Sequence, residues 1–369
     1  MRLLVVSRPF VFHGGVETAT AGLMGALVSH GYEVHLLSPR GQGPVAGVAL
    51  HTLRVPRGPA VARVLALALG TRLVARRRSW DLVQSHERTL GQDVYRAGEG
   101  CHRAYLASRD GGGGRGFYHR VILALERRIF RTTPHVVAIA RTGKTEIERL
   151  YGVPAERVSV VYNGVDLERF HPRNRELHRE AARSEAGIPP TAWAALFIGS
   201  GFERKGLTTA IEALAALGDR AARLLVVGKG EIGPYRALAE RLGVGARLAW
   251  LGTRADVERW YAAVDAVLLP SRYEPFGNVH LEALATGTPV VTSRLAGGAE
   301  VVVDGRCGAI VDPHAPAAIA SALERVRSLD AASVIESARR AAEPYTYAAQ
   351  VVGFAAIYRR VLAGRPDFP

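Results

Sequence analysis

Short apolar runs, each followed by a stretch of helical periodicity, recur along the whole chain. That alternation constrains the fold more than any other feature. The runs are Leu3–Val6, Glu33–Leu37, Asp81–Gln84, His135–Ile139 and Val158–Val161, then Ala195–Ile198, Leu224–Val227, Leu248–Leu251, Ala266–Leu269 and Val290–Thr292. A strand covered on both faces reads as a continuous apolar run, and strand–helix–strand repetition builds parallel sheets with crossover helices. A chain of 369 residues exceeds one average domain. The pattern therefore predicts the α/β class, with two Rossmann-like doubly wound domains facing a central cleft. Residues 1–165 make the first domain and residues 166–345 the second. Residues 346–369 hold an amphipathic helix that crosses back to the first domain. Such sheets bind ligands outside the carboxyl ends of their strands.

One segment carries most of the chemistry, Glu274-Pro-Phe-Gly-Asn-Val-His-Leu-Glu282. The strand before it stops at Pro270. Asn278 reads as an N-cap and Gly287 as the residue that ends a helix over 279–286. A helix start has unpaired amides and a positive end, so it attracts phosphate. The amides along Phe276, Gly277, Asn278 and Val279 are thus candidate donors to a diphosphate. Glu282, one turn inside the helix, suits a ribose diol, and Glu274, on the loop, suits the hydroxyls of a sugar.

Gly199-Ser-Gly-Phe-Glu-Arg-Lys-Gly206 follows another strand and places Arg204 and Lys205 where a loop opens onto a helix. Two fixed cations there would neutralise a departing diphosphate. After the first strand, His13-Gly14-Gly15-Val16-Glu17 offers two glycines for close backbone approach to a ligand. It lacks the third glycine of a dinucleotide fingerprint. Gly297-Gly-Ala-Glu300 reads equally as a second glycine loop near the diphosphate or as a plain turn. His86-Glu87-Arg88 and Glu99-Gly-Cys-His102 read equally as handlers of an acceptor hydroxyl or as polar loops.

The sequence contains no Asp-x-Asp and no His/Cys cluster at zinc spacing. No metal cofactor is therefore expected, and Arg204, Lys205 and the helix end would take its place. Cys101 and Cys307 are expected as free thiols. The net charge is +14 and uneven: residues 1–170 hold 24 Arg and Lys against 13 Asp and Glu, the rest 24 against 21. The first half seeks an anionic partner. The absence of an aromatic-interleaved basic motif argues against nucleic acid. No apolar run is long enough to span a membrane, and Met1-Arg-Leu-Leu-Val-Val enters a strand directly, so a cytoplasmic protein is expected. Arg72–Arg78 and the amphipathic Phe117–Arg131 suit an interfacial helix on anionic lipid, or equally a core helix with a solvated face.

Taken together, the Glu274–Glu282 segment, Arg204–Lys205, the Gly14–Gly15–Glu17 loop and Asn163-Gly-Val-Asp166 resemble the family 4 glycosyltransferases, in the family's order and over nearly the whole chain. Asp93–Cys101, Arg141–Thr145 and Phe202–Gly206 resemble the branch of that family that builds lipopolysaccharide core. The resemblance implies the GT-B fold and metal-independent hexosyl transfer with retention, from UDP-glucose to an inner-core heptose on an anionic glycolipid. It implies work at the cytoplasmic face of the membrane. UDP-N-acetylglucosamine or GDP-mannose donors stay open, as does a docking protein without catalysis. Carried over residue by residue, Glu274 contacts the donor sugar and Glu282 the ribose. Arg204 and Lys205 bind the diphosphate over Gly14 and Gly15, and Glu99 stands near the acceptor.

Overall fold

A computed structural model of the chain describes residues 1–10, 15–77, 79–109 and 116–364, with side chains from residue 18 onward in the first helix. The described residues divide into two units. One contains residues up to Gly164 together with the helix Tyr347–Ala363, the other runs from Val165 to Thr346.

The first unit is built on a parallel sheet of β1 (Arg2–Val6), β2 (Glu33–Pro39), β3 (Val48–Leu53), β4 (Leu82–Ser85), β5 (Val94–Arg96), β6 (His135–Ala138) and β7 (Val158–Val160). The strand order is β3-β2-β1-β4-β5-β6-β7. β1, β4, β5 and β6 are buried on both faces, and the runs read at β1, β4 and β6 correspond to them. β3 escaped that reading because it is an edge strand with only half-buried or exposed positions. β5 escaped because Val94-Tyr-Arg96 is too short and too polar to form an apolar run.

The helix Tyr347–Ala363 closes one face of this sheet, as the sequence predicts. Val351, Phe354, Ile357, Tyr358, Val361 and Leu362 are buried with Leu3, Val5, Leu23 and Leu27. Two features fix its seat. Tyr358 donates to Gln84 Oε1 at 2.6 Å. The Tyr347 ring lies against Gly22, where a Cβ would come within 2.1 Å of its Cζ, so only glycine permits the approach.

The second unit has β8 (Ala194–Ile198), β9 (Arg223–Val227), β10 (Leu248–Gly252), β11 (Ala266–Leu269), β12 (Val290–Ser293) and β13 (Gly308–Val311) in the parallel order β10-β9-β8-β11-β12-β13. β8, β11 and β12 are fully buried. The helices Leu207–Ala216 and Pro316–Arg327 cover one face through Leu207, Ile211, Leu214, Ile319 and Leu323. Both sheets thus repeat one doubly wound plan.

The amphipathic segment at Phe117 resolves toward the core. In the helix Phe117–Thr132, Ile122, Leu125, Ile129 and Phe130 are buried, and only Phe117 and Tyr118 stay exposed at its start. The face offered above as a lipid contact is occupied by packing. Cys101 and Cys307 are buried free thiols.

Candidate donor site

The second unit gathers Arg204, Lys205 and Glu274 at the carboxyl ends of β8 and β11. The chain leaves β8 through Gly199 and Gly201, makes the short helix Phe202–Lys205, and turns at Gly206. Gly206 has φ +79°, and a Cβ there would lie 2.0 Å from the Pro270 carbonyl oxygen, so glycine is required where the two loops touch. Arg204 and Lys205 are thereby set beside the loop after β11. Lys205 Nζ lies 2.9 Å and Arg204 Nη1 3.0 Å from Glu274 Oε2. Arg204 Nη1 also donates to the Tyr273 carbonyl at 2.8 Å.

Burial alone would raise the Glu274 carboxyl, but Lys205 and Arg204 overcome it and hold the group down to about 2. Glu274 is therefore an anion at any physiological pH. Two cations and one carboxylate leave this trio with a surplus positive charge. Among the described residues, Arg204 Nε and Nη2 and the remaining ammonium hydrogens of Lys205 have no protein partner. They are free to donate to an anionic ligand.

Glu282 sits in the helix Val279–Ala285 and is 8% exposed. Its Oε2 accepts from the Tyr261 hydroxyl at 2.6 Å. Burial raises its carboxyl even so. Each glutamate thus uses Oε2 within the protein. No described residue donates to either Oε1, which leaves two acceptors for ligand hydroxyls.

The expected capping by Asn278 is not what the structure contains. Asn278 has helical dihedrals (φ −55°, ψ −26°), and its side chain makes no cap bond. A side-chain cap needs extended backbone at that position, whereas Gly277, at φ +81°, turns the chain straight into the helix. Only the Asn278 carbonyl serves the helix start, accepting from the Glu282 amide at 3.0 Å. The predicted end does hold: Gly287 follows at φ +76°, and the Thr288 amide donates to the Ala283 carbonyl at 2.9 Å. Phe276 is fully buried, so its side chain is not available to a ligand.

Sequence reasoning missed the supports of this loop. His280 is wholly buried, its Nδ1 2.7 Å from the Gly277 carbonyl and its Nε2 2.7 Å from Thr292 Oγ1. Burial pulls its pKa down to about 4, so it is neutral, with Nδ1–H donating and Nε2 accepting. The Gly297–Gly298 turn, left open between two readings, backs the same loop. The Gly297 amide donates to the Glu274 carbonyl and the Gly298 amide to the Phe276 carbonyl, each at 2.8 Å. The position of His280 inside the singled-out motif was the available signal. Tyr261, in an apolar helix far from the motif, gave none.

Glu99 lies in the first unit and belongs to a different cluster. Arg8 and Arg88 bond its two oxygens. Arg8 also bonds Glu87 at 2.8 Å, and Arg88 bonds the buried Glu126 at 3.2 Å. Burial would raise the Glu99 carboxyl, but Arg8 and Arg88 lower it, whereas burial raises Glu87. His86 is buried, its Nε2 2.8 Å from Gln84 Nε2. Gly14 lies outside the described residues. Gly15 begins the helix Gly15–Ser29, and the Glu17 side chain lies outside the described ones.

The profile of Glycosyltransferase Family 4 matches residues 13–169, and that of Glycosyl transferases group 1 matches residues 194–328. A D-inositol 3-phosphate glycosyltransferase of Xylanimonas cellulosilytica is 30% identical over 397 residues, covering 96% of this chain and 93% of that protein. The chain belongs to the family 4 glycosyltransferases. The lipopolysaccharide glucosyltransferase WaaG of Escherichia coli is 31% identical over 242 residues, 63% of each chain. A crystal structure of WaaG superposes with TM-score 0.82 at 25% identity, covering 97% of this chain and 99% of that one. This family member has the two Rossmann-like units of the GT-B architecture. A D-inositol 3-phosphate glycosyltransferase of Corynebacterium glutamicum is 35% identical over 227 residues, 58% of this chain and 54% of that protein. The chain thus spans between 54% and 63% of the length of several curated relatives it matches.

Proposed function

We propose that this family 4 member transfers a hexose from a nucleotide sugar to an anionic glycan acceptor, with retention and without a metal. The observation that carries the reading is the trio of Arg204, Lys205 and Glu274, with its surplus positive charge and open donors. Arg204 and Lys205 take the diphosphate, and their charge stabilises it as the glycosidic bond breaks. Glu274, held anionic, accepts from the sugar hydroxyls through Oε1. Glu282, steadied by Tyr261, accepts from the ribose diol. The backbone from Phe276 to Val279 supplies donors to the nucleotide sugar, and Gly14, Gly15 and Glu17 are proposed as further donor-binding residues.

A carboxylate held near 2 is a poor proton acceptor at neutral pH. Glu274 therefore orients the sugar and takes no proton. The acceptor hydroxyl attacks from the face of the departing diphosphate, and a diphosphate oxygen takes its proton. Glu99, held by Arg8 and Arg88, accepts from a neutral acceptor hydroxyl and takes no part in holding the acceptor's anionic groups.

The finer assignment is UDP-glucose as donor and a lipopolysaccharide inner-core heptose as acceptor, at the cytoplasmic face of the membrane. WaaG, a lipopolysaccharide glucosyltransferase by name, supports it. Peripheral attachment gains support from the helix Ala60–Ala75. Its exposed Leu65, Leu69 and Leu73 form one stripe beside Arg72, Arg76 and Arg77. Among the described residues, no helix is long and apolar enough to cross a membrane. The D-inositol 3-phosphate relatives favour a second reading, a soluble sugar phosphate as acceptor.

The test is a panel of UDP-glucose, UDP-N-acetylglucosamine and GDP-mannose, followed by calorimetry and by donor hydrolysis. Binding and turnover of UDP-glucose over the others are expected. A protein that binds and hydrolyses none of the three is a docking protein, and the enzymatic reading falls.

A further inference from the structure

In the first unit, at the carboxyl ends of β2 and β3, a cavity of about 980 Å³ is lined by Pro39, Arg40, Arg54, Arg57, Gly58 and Arg63, among others. Arg40 directly follows β2, and Arg54 directly follows β3. The last residues of those strands, Pro39 and Leu53, pair in register, so the two arginines leave the sheet side by side. Arg57 comes from the loop that follows, and Arg63 from the first turn of the helix Ala60–Ala75. No carboxylate lines the cavity. Among the described residues, none of the four arginines has an ion-pair or side-chain hydrogen-bond partner.

Arg2 and Arg8 of the same unit, by contrast, are spent on Glu33 and Glu87. Four guanidinium groups facing one space repel one another, and an anion that bridges them relieves the repulsion. Their planar forks suit phosphate oxygens two at a time. The helix start adds to this. Arg63 donates the first intrahelical bond, to the Pro59 carbonyl at 3.2 Å, so the preceding amides of Ala60, Val61 and Ala62 have no partner within the helix.

We infer that this cavity is a phosphate-binding subsite that holds a multiply phosphorylated portion of the acceptor. The inference rests on the transferase reading only for the word acceptor. The binding itself can be tested apart from the donor site. One phosphate chemistry could reach the cavity from a glycolipid in a membrane or from a free sugar phosphate.

The probe is myo-inositol hexakisphosphate, titrated into the full chain by calorimetry at fixed ionic strength. In the variant carrying Arg54→Ala and Arg57→Ala, affinity should fall about tenfold or more, since two charge-assisted contacts are lost. Arg76→Ala with Arg77→Ala removes the same charge from the far end of the same helix and should leave affinity nearly unchanged. UDP-glucose binding should be equal in all three proteins, which separates this test from that of the donor site. Equal hexakisphosphate affinity in wild type and the Arg54/Arg57 variant overturns the inference. So does an equal loss in the Arg76/Arg77 variant, which would mean diffuse attraction. A second arm uses phosphatidylcholine vesicles with and without phosphatidic acid. If the Arg54/Arg57 variant loses vesicle binding as well, the phosphate comes from a lipid headgroup; if it loses only the soluble probe, from a free sugar phosphate.

Discussion

Two glutamates, Glu274 largely buried and Glu99 partly exposed, each sit between two cations, yet their surroundings differ in the sign of what is left over. Around Glu274, Lys205 and Arg204 face a single carboxylate. Around Glu99, Arg8 and Arg88 are shared with Glu87 and Glu126, so three carboxylates meet two cations. The first group keeps donors for an incoming anion. The second is formally negative and directs its donors inward, toward its own acids. The Tyr151 hydroxyl and the His102 amide also bond Glu126. The lesson is that a carboxylate between two cations is not a site by itself. The residual charge and the unspent hydrogen-bonding atoms decide which ligand group it suits: an anion beside Glu274, a neutral hydroxyl beside Glu99.

The strongest way to break this contrast is to remove a cation on the receptive side. Lys205→Ala should lower the transfer kcat by about 10²–10³-fold, the usual cost of deleting one group that stabilises developing charge. Steady-state kinetics with the best donor of the panel checks it. A full kcat would show that Lys205 only holds Glu274 in place.

The next test concerns the support beneath Glu274. His280 falls from its ordinary 6.5 to about 4 in the folded chain. Between those values the unfolded chain binds a proton that the folded one refuses. Stability from this site is therefore complete above pH 6.5 and is lost as pH falls toward 4, by about 3 kcal/mol in all. Glu274 adds a separate contribution to stability, present above its ordinary 4.5 and lost as pH falls toward about 2. Urea unfolding of wild type and His280→Asn across pH should show a loss in the upper window that is larger in wild type by about 3 kcal/mol, since buried His86, His102 and His135 contribute to that window in both proteins. Parallel curves for the two proteins would sink the assignment.

The smallest effect is expected on the inward-directed side. Glu99→Gln keeps the shape but weakens two charged bonds, at a stability cost of about 1–2 kcal/mol. The Glu87 carboxyl loses a like-charged neighbour at the same time, which offsets part of that cost. Donor binding should not change. A donor affinity that moved with Glu99→Gln would join the two clusters that we treat as separate.

Much of this was legible in the residues. Buried parallel strands reveal themselves as apolar runs because both faces are covered, and β1, β8 and β11 were read that way. β3, alternating and half exposed at a sheet edge, was not. Glycine turns were legible where only a positive φ serves, as at Gly287. The capping role given to Asn278 failed because the turn is made one residue earlier, by Gly277. The interfacial reading of Phe117–Arg131 failed because amphipathicity does not say what covers the apolar face.

By itself, the sequence determined the two doubly wound sheets, the returning last helix and the glutamate and cation motifs, because period and spacing are local properties. Only the tertiary structure decided which charges meet. Arg204 reaches Glu274 across 70 positions because parallel strands bring successive loops to one edge, and Tyr261 reaches Glu282 across 21 because their two helices pack together. It also decided that Arg40, Arg54, Arg57 and Arg63 share one cavity while Arg8 and Arg88 are neutralised. Charge counted along a chain gives the total, and only the positions of the strand ends say where it remains unpaired.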